Sequence, residues 1–181
     1  MLFRSNRVAS GTGHRWRCDA GEVADLAEHP EDIYCAMVLA LRDYVNKNRF
    51  PGVVLGLSGG IDSAICAAIA VDALGAERVW CVMLPSRYTS QESLDDARGC
   101  AEMIGCRLDT IPIVPAVEAF DIMLADSFAD KNVETTEENV QSRIRGVTLM
   151  ALSNKFGPML MTTGNKSEMS VGYAKIGRAH V

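Results

Sequence analysis

Four short apolar runs punctuate this chain: "VVLGL" at 53–57, "RVWCVML" at 78–84, "LDTIPIV" at 108–114 and "PMLMTT" at 158–163. Longer stretches with helical patterning separate them. This alternation constrains the fold more than any other feature. A run of β-branched and apolar residues without polar alternation suits a strand covered on both faces, as in a parallel sheet. Strand–helix–strand order then lays the connecting helices over that sheet. The expected class is α/β, a doubly wound parallel sheet with helices on both faces.

The helical stretches carry their own boundaries. Pro30, followed by Glu31 and Asp32, suits a helix start. Ile33, Met37, Ala40, Leu41, Tyr44 and Val45 fall at helical spacing and form its expected buried face. "DSAICAAIAVDAL" reads as an almost wholly apolar helix stopped by Gly75. Thr89 and Glu92 suit a capping box for a helix through Met103, closed by Gly105. Another helix is expected near 116–128. Thr135 or Thr136 caps a longer one through Asn154, with Val140, Ile144, Val147 and Ala151 as its apolar stripe. Residues 1–29 lack such patterning and read as a tail or linker ahead of a domain at 30–175.

Composition excludes some functions. The balance of 48% hydrophobic and 23% charged residues is that of an ordinary globular chain. A net charge of −5 disfavours loose binding to polyanions, so no nucleic-acid partner is expected. No apolar run reaches the roughly 20 residues of a membrane span. The N-terminus lacks the apolar core of a signal peptide. Cys18, Cys35, Cys66, Cys81, Cys100 and Cys106 form no C-x-x-C pair, several sit on expected core faces, and they read as buried reduced thiols. A cytoplasmic location without membrane attachment follows as the expectation.

The chemistry concentrates in "GLSGGIDSA" at 56–64, between the first apolar run and the helix after it. Ligands of open parallel sheets bind beyond the carboxyl ends of the strands. Gly59 and Gly60 can take positive φ and let a ligand approach the main chain. Successive N–H groups and the positive end of the helix then converge on an anion. Ser58 and Ser63 add hydroxyl donors. Neither G-x-x-x-x-G-K-[ST] nor G-x-G-x-x-G is present, so the loop belongs to neither familiar phosphate cradle. It carries an acid, Asp62, which repels phosphates unless a cation sits between. Magnesium, held by one carboxylate and phosphate oxygens, resolves that conflict. The other reading of Asp62 is a cap for the helix that begins there.

Further candidates lie downstream. Glu168 follows the fourth run, and two carboxylates from neighbouring loops can share one cation; otherwise it is a first-turn acid favoured by the helix dipole. Asn139 and Arg143 are four apart, on one helical face. An amide beside a guanidinium suits a pyrophosphate or ribose, although Arg143 alone reads equally as a solvated charge. Lys166 either neutralises phosphate or is a solvated lysine. Arg87 and Tyr88 either line a nucleotide path or pack on the surface.

S-G-G-x-D-S after a strand resembles the loop of the N-type ATP pyrophosphatases, which grips the β,γ-pyrophosphate while a substrate oxygen attacks the α-phosphorus. "MLPSRYTS" at 83–90, "TTEENVQSRIRG" at 135–146, "ALSNKFG" at 151–157 and "TTGNKSEMSVGYA" at 162–174 narrow the likeness. Together they resemble the NAD synthetases, in particular the glutamine-dependent, two-domain form, over about residues 30–174. The resemblance implies an adenine nucleotide alpha hydrolase-like fold, incomplete at the C-terminus. It implies ATP-dependent amidation of deamido-NAD to NAD through an adenylate, with release of AMP and pyrophosphate. Ammonia would come from glutamine through a domain outside these residues. Carried over by position, Gly56, Leu57, Ser58, Gly59, Gly60, Ile61, Asp62 and Ser63 form the ATP loop, and Thr163 contacts ATP. Asp62 and Glu168 hold Mg2+ as the catalytic acids, and Asn139, Arg143 and Glu168 meet deamido-NAD. A homo-oligomer is implied for the full-length protein. The alternatives are another adenylating member of the superfamily, such as a GMP synthetase or a tRNA-modifying enzyme, or a non-catalytic nucleotide-binding module. Such chemistry rests on alignment and charge stabilisation, so it needs none of His14, His29 and His180.

The likeness stops after "SVGYA". "LFRS" at 2–5 can be written CTC TTC CGA TCT, whose reverse complement reads into Ile-Gly-Arg and the start of alanine, as at 176–179. Residues 1–5 and 176–181 are therefore expected to be read-through from a sequencing-library adapter. The domain at 30–175 is expected to be partial and, alone, unable to form NAD at a useful rate.

Overall fold

A computed structural model describes residues 5–7, 16–18, 28–129 and 135–170. The readings placed on residues 1–4 and 176–181, on His14 and on His180 lie outside the described residues, as does the side chain of Glu168. The chain divides into two units, Met1–Tyr34 and Cys35–Val181. In the first, β1 (Ser5–Arg7) pairs antiparallel with β2 (Trp16–Cys18). The sequence pattern announces no strand there, because three residues are too few to display a period-2 alternation.

After α1 (Glu31–Lys47) come β3 (Val53–Gly56), α2 (Ile61–Leu74), β4 (Val79–Met83), α3 (Gln91–Ile104) and β5 (Arg107–Thr110). Then follow α4 (Val114–Phe128), α5 (Thr135–Phe156), β6 (Met159–Met161) and α6 (Lys166–Ser170). The four strands β3 to β6 form one parallel sheet in the order β5-β4-β3-β6. Val53 lies opposite Val79 on one side and Met159 on the other. The chain steps from β3 through β4 to β5, then returns to the far side of β3. That reversal opens a crevice at the carboxyl ends of the strands.

Side-chain alternation gives each face its own core. Val53, Leu55 and Leu57, with Val79, Cys81 and Met83, pack on Ala67, Ala70 and Leu74 of α2 and on Ala97 and Ala101 of α3. The alanines let these helices lie close to the sheet. Val54, Val82 and Leu84 face the other way, onto Val117 of α4 and Ile144 and Leu149 of α5. Burying each such aliphatic side chain contributes about 1.5–3 kcal/mol. The doubly wound α/β arrangement is thus realised.

Several boundaries differ from expectation. Ser90, not Thr89, caps α3, its side chain accepting from the Ser93 N–H. Thr89 Oγ1 accepts instead from the Ser86 N–H at 2.9 Å. The third run ends as a strand at Thr110 because Pro112 has no N–H to donate. Pairing persists beyond it through Ile111 N–H to the Met83 carbonyl at 2.8 Å and Ile113 N–H to Pro85 at 2.9 Å. On α1 the sheet covers only Val38, Leu41 and Val45, leaving Ile33, Met37, Ala40 and Tyr44 exposed. On α5 the buried face runs through Gln141, Ile144, Gly146 and Leu149, while Val147 is 69% exposed and Ala151 is also exposed. The helix turns Ile144 and Leu149 onto Val54, Val82 and Leu84 of the sheet, with Gly146 buried beside them at the cavity. Gly75 and Gly105 close α2 and α3 as expected, with φ of 88° and 70°.

Candidate functional site

A cavity of about 470 Å³ opens at the crevice, over the carboxyl ends of β3, β4 and β6. Gly56, Leu57 and Ser58 form its floor with Met161, Thr162 and Thr163. The first turn of α3 and the N-terminal half of α5 form its walls.

The loop leaving β3 is built by its own polar groups. Ser63 is buried, and its hydroxyl donates to the Gly60 carbonyl at 2.8 Å. The same oxygen accepts from the Ser58 N–H at 3.2 Å. Ser58 Oγ lies 3.2 Å from Ser63 Oγ and accepts from the Gly60 N–H at 3.3 Å. Gly59 has φ of +84°, and a Cβ there would sit 2.9 Å from Ser93 Cα. Only glycine suits that position.

Gly60 differs from the expectation. Its φ is −84°, and a Cβ would meet only Ser58 Oγ at an ordinary 3.4 Å. Left-handed backbone is required once in this loop, not twice. Gly56 serves packing: a side chain there would crowd Leu149 of α5 at 3.3 Å.

Asp62 lies in the first turn of α2 and is exposed. Gly60 is the N-cap of that helix and no side chain caps it, so Asp62 is not a helix cap. Its Oδ2 accepts from Asn165 Nδ2 at 3.0 Å. One turn later Cys66 has its thiol pushed up from the ordinary value, first by burial and second by the Asp62 carboxylate.

Of the residues singled out in the sequence, Gly56, Leu57, Ser58 and Thr163 line the cavity together. Gly59, Gly60, Ile61, Asp62 and Ser63 continue the same loop into α2 without lining it. Asn139 and Arg143 share the exposed face of α5 and do not line it either. Glu168 lies on α6, which follows Thr163 by a short loop. Tyr88 borders both this cavity and a second one of about 240 Å³ between α4 and α5. Arg87 lies at that second cavity, 3.4 Å from Asp121.

Sequence reasoning missed Glu138, Ser142 and Arg145, which line the main cavity from α5. Arg145 Nε donates to the Leu84 carbonyl at 3.1 Å, tying α5 to the end of β4. The signal was available in the spacing: 138, 142, 145 and 149 share one helical stripe ending on buried Leu149. Among the described residues no group of three or more His, Cys, Asp or Glu side chains is placed to hold a metal. Described Cys35, Cys66, Cys81, Cys100 and Cys106 are free thiols, but only Cys81 among them is fully buried and Cys35 is exposed, on the face of α1 that the sheet does not cover. No helix of the described residues is long and apolar enough to cross a membrane.

A family model described as NAD synthase matches residues 33–177. The chain belongs to the NAD synthase family. The family match begins within α1 and takes in β3 to β6 with the loop at 56–63. The chain is 60% identical over 156 residues to the glutamine-dependent NAD(+) synthetase of Rhodobacter capsulatus, covering 84% of this chain and 28% of that protein. The chain thus spans little more than a quarter of that relative's length. A solved glutamine-dependent NAD+ synthetase from Acinetobacter baumannii, in complex with adenosine diphosphate, superposes with a TM-score of 0.81 at 50% identity, covering 87% of this chain and 30% of that one. The NMN synthetase of Francisella tularensis superposes with a TM-score of 0.71 at 32% identity, covering 83% of this chain and 60% of that one.

Proposed function

We propose that the cavity takes ATP, its phosphates on the loop from Gly56 to Ser63, and that the whole protein amidates deamido-NAD to NAD. The observation that carries this is the loop itself. Gly59 is locked in the left-handed region against α3, and the Ser58–Ser63 network fixes the bend beside a helix start. Such a preformed concavity at a helix N-terminus suits an anion. An adenine nucleotide in the A. baumannii relative supports the same reading.

The expected acids suit Mg2+ better than a cation that needs a full protein cage. Asp62 offers one exposed carboxylate, and no three-ligand cluster surrounds it among the described residues. Magnesium is commonly held by one or two carboxylates together with substrate phosphates. Asp62, and Glu168 with it, would hold the ion. When bound, it would neutralise charge on the phosphates.

The residues' own work is alignment. A carboxylate oxygen of deamido-NAD attacks the α-phosphorus, and the bond from that phosphorus to the bridging oxygen of pyrophosphate breaks. Ammonia then attacks the acyl carbon, loses a proton, and AMP departs with the electron pair of the acyl–oxygen bond. Loop N–H groups and hydroxyls bind the departing pyrophosphate, where charge develops. Thr163 holds the nucleotide across the crevice. Asn139 and Arg143 orient deamido-NAD, with ammonia derived from glutamine in the whole protein and a homo-oligomer as its assembly.

A chimera tests this reading. Residues 33–170 replace the matching segment of the A. baumannii synthetase, and NAD is measured from deamido-NAD, ATP, Mg2+ and ammonia. Formation of NAD with one AMP and one pyrophosphate is expected. A folded chimera that consumes nicotinate mononucleotide in place of deamido-NAD would move the substrate assignment, and one that binds no ATP would end it.

A further inference from the structure

We infer that Asn165 is a positioning residue, holding the Asp62 carboxylate in the orientation in which it receives a divalent cation. This rests on the reading of Asp62 as a cation ligand given above. Asp62 and Asn165 are 103 positions apart. Asp62 sits in the first turn of α2, and Asn165 ends the loop between β6 and α6, just beyond cavity-lining Thr163. Asn165 Nδ2 donates to Asp62 Oδ2 at 3.0 Å.

This bond is exposed to solvent. Exposed hydrogen bonds exchange with water, and intramolecular ones return only about 0.5–1.5 kcal/mol even on average. Its contribution to stability is therefore small, whereas its contribution to direction is large. An exposed aspartate without a partner samples several rotamers. A single amide donor on one oxygen selects an orientation and leaves most of the carboxylate's roughly four lone-pair sites available. Groups that hold metal ligands in this way typically alter metal affinity by about 10–100-fold when removed. The bond also joins the two strand ends that flank the crevice, β3 through α2 and β6 through its loop. It thus couples the aim of Asp62 to the segment that carries Thr163 and Glu168.

The test uses the 181-residue chain with Mn2+ as the probe, titrated at fixed saturating ATP and followed by electron paramagnetic resonance. Asn165→Ala is expected to weaken Mn2+ binding by about 10-fold or more, with an unchanged thermal midpoint. Asn165→Ser, too short to reach the carboxylate, gives the same loss and serves if the alanine variant misfolds. The double variant Asp62→Ala/Asn165→Ala is expected to bind Mn2+ no more weakly than Asp62→Ala alone, because Asn165 acts through that carboxylate. Unchanged affinity in Asn165→Ala, alongside a loss in Asp62→Ala, overturns the positioning role and leaves the cation reading standing. Losses that multiply in the double variant also overturn it, since Asn165 would then act independently. Unchanged affinity in Asp62→Ala removes the cation reading and this inference with it.

Discussion

The two sides of the crevice are held in different ways. On one side, the unit β3–loop–α2 fixes its shape with neighbours in sequence: Ser58, Gly60 and Ser63 bond to one another within five positions. On the other side, α5 and the loop after β6 rely on distant partners. Arg145 reaches the Leu84 carbonyl, and Asn165 reaches Asp62. The first side is a bend closed largely by its own residues, with Gly59 packed against Ser93 of α3. The second is a set of side chains, Arg145 and Asn165 among them half-buried, brought to it by the sheet. Substitutions of the residues that close the bend, Gly59 and Ser63, should therefore register as lost stability, and those of the exposed side chains Asp62 and Arg143 as lost binding at constant stability.

The largest effect is expected at Gly59. Gly59→Ala forces a Cβ onto the Ser93 backbone at a φ of +84°. A loss of about 3 kcal/mol or more follows, from left-handed strain together with the clash. Gly60→Ala, with ordinary φ and only an ordinary contact to Ser58 Oγ, should cost about 1 kcal/mol or less. Urea midpoints of the two variants check this contrast; equal losses would show that the loop is not shaped as described. Ser63→Ala comes next. It removes the donor to the Gly60 carbonyl and the acceptor for the Ser58 N–H from a buried position. About 1–3 kcal/mol should be lost in the same assay.

On the other side, Arg143→Ala should leave stability within about 0.5 kcal/mol, because its side chain is exposed on α5. The chimera bearing it should show a raised KM for deamido-NAD, and an unchanged KM would remove Arg143 from the substrate site. The smallest effect is at Cys66. Its thiol is pushed up by burial first and by Asp62 second. Asp62→Ala removes only the second cause, so the pKa falls part of the way and the thiolate fraction near pH 8.5 rises. Alkylation by iodoacetamide should quicken modestly in that variant, and a slower rate would contradict the sign.

These two sides were unequally legible in the sequence. The strand runs at 53–57 and 78–84 were readable because unbroken apolar runs have one interpretation in an α/β chain, and Gly75 and Gly105 marked helix ends by a backbone demand that glycine alone meets cheaply. The glycine loop announced its chemistry through composition, although which glycine needs positive φ depends on where α3 packs. The face of α5 was not readable. Val140, Ile144 and Val147 match a helical stripe as well as the buried set does, and which set is covered is decided only once Ile144 and Leu149 meet the sheet. Arg145 entered the cavity, while Arg143, favoured by resemblance, remained outside its lining. The Asp62–Asn165 bond spans too much sequence for any local pattern to show it.

Isothermal titration of Mg·ATP into the chain and into its Asp62→Ala variant measures what the two sides are proposed to do together. Saturable binding by the unaltered chain, lost or at least about tenfold weaker in the variant at an unchanged urea midpoint, is the predicted result. Equal affinity in both proteins, or no binding by a demonstrably folded parent chain, would contradict the assignment of the loop and its acid to a metal-bound triphosphate.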